Sequence, residues 1–208
     1  YDIVERTTAG LEVQRAADSD DHAHRKERSA YFGDVHVHTK YSFDAYAFGT
    51  VATPDDAYRF AKGKPLRHPA GFDMQLKKPL DFYAVTDHGF FLGVASVAAD
   101  TTTNFSKYSF ASIMHDLNEP GNTGIFDLLD RVRAFGIART LAVAIVDGDL
   151  DLEEPLEITR SAWADSIRAA DMHNDPGQFT TFVAYEYTST TTEARSLHRN
   201  VVLVGSDR

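Results

Sequence analysis

Apolar and polar positions begin to alternate at Tyr31, and Tyr31-Phe-Gly-Asp-Val-His-Val-His38 has the period of a β-strand. A second apolar run, Leu80-Asp-Phe-Tyr-Ala-Val-Thr86, has the character of a buried strand and ends at Asp87-His88-Gly89. Gln178 to Tyr185 reads as a third strand and Asn200 to Val204 as a fourth. Between them the period changes. A helix is predicted over 53–62, with Thr53 as N-cap, Pro54 at the first helical position and Asp55 and Asp56 in the first turn. Ile125 to Phe135 and Leu156 to Met172 carry amphipathic helical spacing. Residues 100–123 are polar and turn-rich, and Asn118-Glu-Pro-Gly-Asn122 breaks any regular element. Strands alternating with helices predict an α/β fold.

Residues 1–30 follow a different rule. They are polar, and Asp18 to Arg28 is dense in charge, so this stretch reads as an N-terminal arm ahead of one domain over 31–208. His22 and His24 lie in the arm and read as part of a solvated tail. A length of 208 residues suits one domain with an appendage. With 43% hydrophobic and 25% charged residues the composition is that of a globular chain.

Charge narrows the partners. The 21 Lys and Arg against 31 Asp and Glu give a net charge of −10, which opposes an extended nucleic-acid surface and favours the gathering of cations. There is no cysteine, which excludes disulfides, thiolate zinc sites and iron–sulfur clusters, so any metal is held by nitrogen and oxygen. The longest apolar run, Thr140 to Val146, is too short to span a membrane. The expectation is a soluble protein, and the composition does not choose between cytoplasm and periplasm.

The chemistry gathers at the ends of the predicted strands. His36 and His38, two apart on a strand, project to one face at a separation that suits two imidazoles on one metal. Taken alone, such a pair has many structural explanations. Asp44 follows six residues later in a Ser-x-Asp-Ala turn, Asp87 and His88 close the second strand, and Glu186 follows the third. Functional groups of parallel α/β folds collect at the carboxyl ends of strands, where all of these lie.

These residues together resemble the PHP (polymerase and histidinol phosphatase) superfamily of metal-dependent phosphoesterases, and within it most closely the DUF3604 family. The resemblance runs from Tyr31 to about Gly205. It is carried by Tyr31 to Thr39, Phe48-Gly-Thr50, Ala52-Thr-Pro-Asp-Asp-Ala-Tyr58, His68-Pro-Ala-Gly71, Asp81 to His88 and His198-Arg-Asn-Val201. It implies a distorted (β/α)7 barrel of parallel strands, with two or three divalent ions, Zn, Mn or Fe, at the strand ends. Carried over by motif, the ligands are His36, His38, Asp44, His88, Glu186 and His198, with Glu186 the bridging carboxylate. Asp87 is a further ligand or an acid that orients one, and the best local candidate for general acid.

Two departures stand out. Ala184 occupies the glycine position of the family's Gly-x-Glu element, and no Asp-x-His pair follows His198. The late Asp171-Met-His173 precedes Glu186 and reads as the end of a helix, where a histidine is favoured by the helix dipole. Four strands are visible where the barrel needs seven. The expectation is therefore an N-terminal portion of a longer polypeptide, with its remainder or another chain completing the barrel.

His68 and His115 have no partner at ligand spacing and read as loop or packing residues; Trp163 reads as core. Lys40, Tyr41 and Arg199 flank the ligand motifs, either as phosphate contacts or as ordinary rim side chains. The resemblance implies metal-assisted hydrolysis of a small phosphorylated substrate. Two other classes compete: an amidohydrolase-like enzyme cleaving C–N or lactone bonds, for which no carbamylated-lysine candidate is evident, and a non-catalytic metal-stabilised binding domain.

Overall fold

The computed structural model describes residues 29–119, 121–122, 127–190 and 196–206. The predicted arm, with His22 and His24, falls outside these residues except at 29 and 30. All elements below belong to the unit Phe32–Arg208.

The three strand-like runs nearest the histidine motifs pair with one another in parallel. They are β1 (Gly33–Val37), β4 (Phe82–Val85) and β5 (Thr180–Thr190), in the order β1-β4-β5. Parallel neighbours need long crossovers. The first holds helices α1 (Phe43–Ala47) and α2 (Pro54–Ala61) and a small hairpin, β2 (Leu66–Arg67) with β3 (Asp73–Met74). The second holds α3 (Val94–Ala99), two 3₁₀ turns (Phe105–Lys107 and Ser109–Met114), α4 (Leu128–Phe135), α5 (Ile137–Asp147) and α6 (Glu153–His173). The fold is mixed α/β.

A fourth strand, β6 (Ser196–Val202), adds to β5 in the antiparallel sense, with Glu186 opposite Asn200 and Thr188 opposite His198. This departs from the all-parallel expectation. Only five residues separate β5 from β6, enough for a hairpin and far too few for a parallel crossover. Both strands also extend beyond the predicted runs, because their polar outer halves pair with each other rather than with β4.

Two apolar clusters hold the sheet and its loops. Ala57, Tyr58 and Ala61 of α2 and Ala169 and Ala170 of α6 lie against Tyr83, Val85, Phe179 and Val183, where small helix residues let the backbones approach the sheet. The other cluster is helical and joins Phe43 and Ala47 of α1 to α3, the 3₁₀ turns, α4 and α5. Buried Arg131 ties this layer together. Its guanidinium donates to the carbonyls of Ala47, Leu117 and Asn122 and to Asn118 Oδ1. On the sheet face away from α2 and α6, Phe82 and Phe182 meet edge to face at 6.3 Å. Asn200 Nδ2 of the last strand donates to the Val35 carbonyl of the first at 2.7 Å, so the sheet curls until its two edge strands touch.

The predicted helix start is present as drawn. Thr53 caps α2 and Asp56 returns the bond in a capping box, with Pro54 in the first turn. The long amphipathic pattern at 156–172 extends to Glu153–His173. Helix α5 was not anticipated: the run at Thr140–Val146 carries apolar residues on its exposed as well as its buried side, with Ile137, Leu141 and Ala144 inside and Val143 and Val146 outside. Among the described residues no helix is long and apolar enough to cross a membrane.

Gly33 is fixed by packing. A Cβ there would stand 2.3 Å from both the Phe82 carbonyl oxygen and the Phe82 ring. Gly33→Ala is expected to cost about 1–3 kcal/mol of stability, seen as a lower urea midpoint at unchanged slope. A second expectation concerns Tyr58, whose phenol is pushed up to about 12 by burial, against the opposing hydrogen bond from the Val85 amide. The native state keeps this proton where an unfolded tyrosine loses it, near pH 10. Native protein then binds more protons, so stability is complete below about pH 10 and falls as pH rises toward 12. Melting temperature against pH tests this, and Tyr58→Phe should flatten the decline in that window.

Candidate metal centre

The site forms where β1 and β4 end, beside the middle of β5. β1 delivers His36 and, one residue past its end, His38, with ring centroids 5.3 Å apart. β5 carries Glu186 inside the strand rather than after it, because pairing with β6 prolongs β5 to Thr190. The chain after β4 runs beside Glu186: Glu186 N–H donates to the Asp87 carbonyl at 2.9 Å and Gly89 N–H to the Glu186 carbonyl at 3.0 Å. These bonds set His88 next to Glu186. Gly89 is required by the close approach, since a Cβ there would lie 2.9 Å from the Tyr185 ring.

Glu186 is the centre of the arrangement, with a side chain only 2% exposed. Its Oε2 lies 3.1 Å from His36 Nε2 and 2.7 Å from His38 Nε2. Its Oε1 meets His198 Nδ1 and stands 3.8 Å from His88 Nδ1. Asp44, at the start of α1, has Oδ1 3.3 Å from His38 Nδ1 and Oδ2 3.5 Å from His88 Nε2. The six residues form three overlapping ligand groups: His36, His38 and Glu186; His38, Asp44 and His88; His88, Glu186 and His198. Within each group the donor atoms lie within 4.8 Å of one another, and all are imidazole nitrogens or carboxylate oxygens. That donor set fits Zn, Mn or Fe.

The charges follow from this crowding. Burial works against ionised Asp44, but hydrogen bonds from His38, His88 and Ser42 outweigh it and hold the carboxyl well below its usual range. Glu186 is likewise lowered, because the charge of His88 and the bonds from His38 and His198 overcome its burial. His38 is raised: burial would lower it, and Asp44 and Glu186 more than compensate.

Asp87 is not brought into the cluster. Burial pushes its carboxyl up to about 6, opposed by the amide and hydroxyl of Thr39, which donate to its two oxygens at 2.5 and 2.6 Å. Its side chain braces the loop after β1 through Thr39. Tyr41 OH donates to Asp165 of α6 at 2.7 Å, Lys40 lies over the Tyr41 ring, and Arg199 alternates with His198 and Asn200 to the other face of β6. His68 stacks on Phe72, His115 bonds the Ser106 carbonyl, and His173 ends α6 against Asp55 at 2.7 Å.

Sequence reasoning passed over three hydroxyls. Ser42 Oγ donates to Asp44 Oδ1 at 2.6 Å and accepts the His88 amide at 3.2 Å, joining two ligand loops. Thr39 holds Asp87. Thr188 Oγ1 sits 2.8 Å from His88 Nδ1 and 3.2 Å from His198 Nδ1. The available signal for Thr188 was its place two residues after Glu186, on the same strand face.

A family model described as "Protein of unknown function (DUF3604)" matches residues 25–208, and the chain belongs to that family. No curated protein and no solved structure matches it.

The brace on Asp87 has a measurable consequence. Asp87→Asn places an amide nitrogen where Thr39 directs its donors, leaving a buried donor unmatched. A loss of about 1–3 kcal/mol in urea unfolding is expected, with metal affinity falling about 10–100-fold as His38 loosens. Competition with a chromophoric chelator measures the second effect.

Proposed function

We propose that this DUF3604 chain is a metal-dependent hydrolase of phosphoester bonds, with a PHP-type centre on part of a PHP-like distorted (β/α)7 barrel. The observation that carries the reading is the division of Glu186: one oxygen faces His36 and His38, the other faces His88 and His198. A carboxylate shared between two pairs of imidazoles is the arrangement for two adjacent cations.

Elementary bonding selects two ions over three. A neutral imidazole offers one lone pair. The group His38, Asp44 and His88 would use the second nitrogen of both rings, which the other two groups already engage through the first. One ion would therefore be held by His36, His38 and Glu186, and one by His88, His198 and Glu186. Asp44 then accepts the remaining ring N–H of His38 and His88 and fixes their orientation. Ions held there supply positive charge beside the phosphoryl oxygens and lower the pKa of water. Glu186 and His88 form the buried floor, while His36 and His198 are 62% and 46% exposed and leave the substrate side open.

Elemental analysis of the purified protein should return two divalent ions per chain, with chelator-sensitive hydrolysis of p-nitrophenyl phosphate or its diester. Glu186→Gln removes the charge shared by both ions. It should lose metal and at least about 100-fold of activity together. Full activity in that variant, or hydrolysis indifferent to chelator, would falsify the proposal.

A further inference from the structure

A cavity of about 270 Å³ lies between the loop that follows α1, the β2–β3 hairpin and Arg131 of α4. Two stretches that carry the family resemblance and take no part in the metal centre meet here. Phe48-Gly-Thr50 forms one wall and His68-Pro-Ala70 another. Every ionisable side chain in the lining is basic: Arg67, His68 and Arg131. In a chain of net charge −10, a cavity lined by bases and no carboxylate is a local reversal of sign.

Arg131 is 8% exposed and bonds neutral oxygens alone, three carbonyls and the Asn118 amide oxygen. Among the described residues its charge meets no carboxylate. A buried cation without a counter-charge is costly, and an anion in the cavity would supply one. Gly49 leaves the guanidinium uncovered. Its φ of +107° favours glycine, and a Cβ there would stand 3.5 Å from Arg131 Nη1 and 3.9 Å from Cζ. Further donors stand in the same walls. Ala70 N–H donates to His68 Nδ1 at 3.1 Å, which leaves the ring proton on Nε2, and Nε2 meets no acceptor among the described residues. The Thr50 hydroxyl and the amides of Val51 and Ala52 meet none there either. Arg67 spends one nitrogen on Asp73, at 3.0 Å, and keeps its other donors. Guanidinium, imidazole N–H, hydroxyl and amide donors without an acidic neighbour are the set that recognises an oxyanion. Leu66 and Met74 add apolar wall beside them.

We infer that this cavity is a binding site for a small organic oxyanion, a carboxylate or phosphate on a short apolar body. It shares no residue with the metal centre. A cation is repelled there, and a neutral apolar molecule leaves the charge of Arg131 unanswered.

The test is an amide-resolved NMR titration of the protein with inorganic phosphate and, separately, with butyrate, both at constant ionic strength. At least one should produce saturable shifts at the amides of Gly49, Thr50, Val51, Ala52 and Ala70, and the tighter of the two identifies the head group. Phosphate at the metal centre is read separately, at His36, His38 and Glu186. His68→Phe keeps the ring stacked on Phe72 and removes the Nε2 donor, while Arg67→Gln removes a charge at an exposed position. Each should weaken the tighter probe about tenfold, the loss of one charge-assisted hydrogen bond. Absence of saturable shifts in the cavity walls with both probes, or an affinity untouched by both variants, would overturn the site and leave the hydrolase reading standing.

Discussion

Glu186 cannot be buried alone. An ionised carboxylate at 2% exposure costs several kcal/mol unless charge and hydrogen bonds surround it, and here four imidazoles from three strands do so. His36 and His38 come from β1, His88 from the end of β4 and His198 from β6. Each must reach the same two oxygens, which fixes the register of β1, β4, β5 and β6 at one level. The sheet is thus pinned at its polar end by charge and at the face toward α2 and α6 by packing. Divalent ions in that position would supply positive charge to the same two oxygens, which would couple metal binding to strand registry.

The curl of the sheet serves the same constraint. A flat sheet in the order β1-β4-β5-β6 would hold His36 and His198 at opposite edges, three strand spacings apart, or roughly 14 Å. Curling brings both to one carboxylate, and the bond from Asn200 to the Val35 carbonyl closes the gap below them. Hydroxyls complete the arrangement at short range. Ser42 links the turn bearing Asp44 to the backbone of His88, and Thr39 secures Asp87 beneath it. These hydroxyl bonds tie the turn bearing Asp44 and the loop after β1 to the cluster around Glu186.

The aromatic rings give the centre a second environment. Phe43 and Phe90 pack on His88 from the helical side, at 5.2 and 5.4 Å, while Asp44 and Glu186 engage its nitrogens. One imidazole thus joins the polar cluster to the apolar layer formed by α1, α3, α4 and α5. Its position is set by both, which limits how far His88 can move when charge at the centre changes.

Much of this was legible in the chain. The i, i+2 histidines on an alternating strand, the acid and imidazole closing an apolar run, and the Thr53–Pro54 helix start are local patterns, and a local pattern survives any tertiary arrangement that keeps its element intact. Five of the six ligand-type residues were likewise readable from local motif and strand-end position, while His198 entered only through the family resemblance. Other features were not. Asp87 and His88 are neighbours in the chain, yet only His88 faces Glu186, because adjacent side chains diverge and Thr39 captures the acid. The sense of β6 and the sharing of Glu186 between two imidazole pairs arise where segments distant in sequence meet. Sequence determined which donors exist and which element carries each; the curl of the sheet decided which oxygen each nitrogen meets, because that depends on distances across strands that no local period encodes.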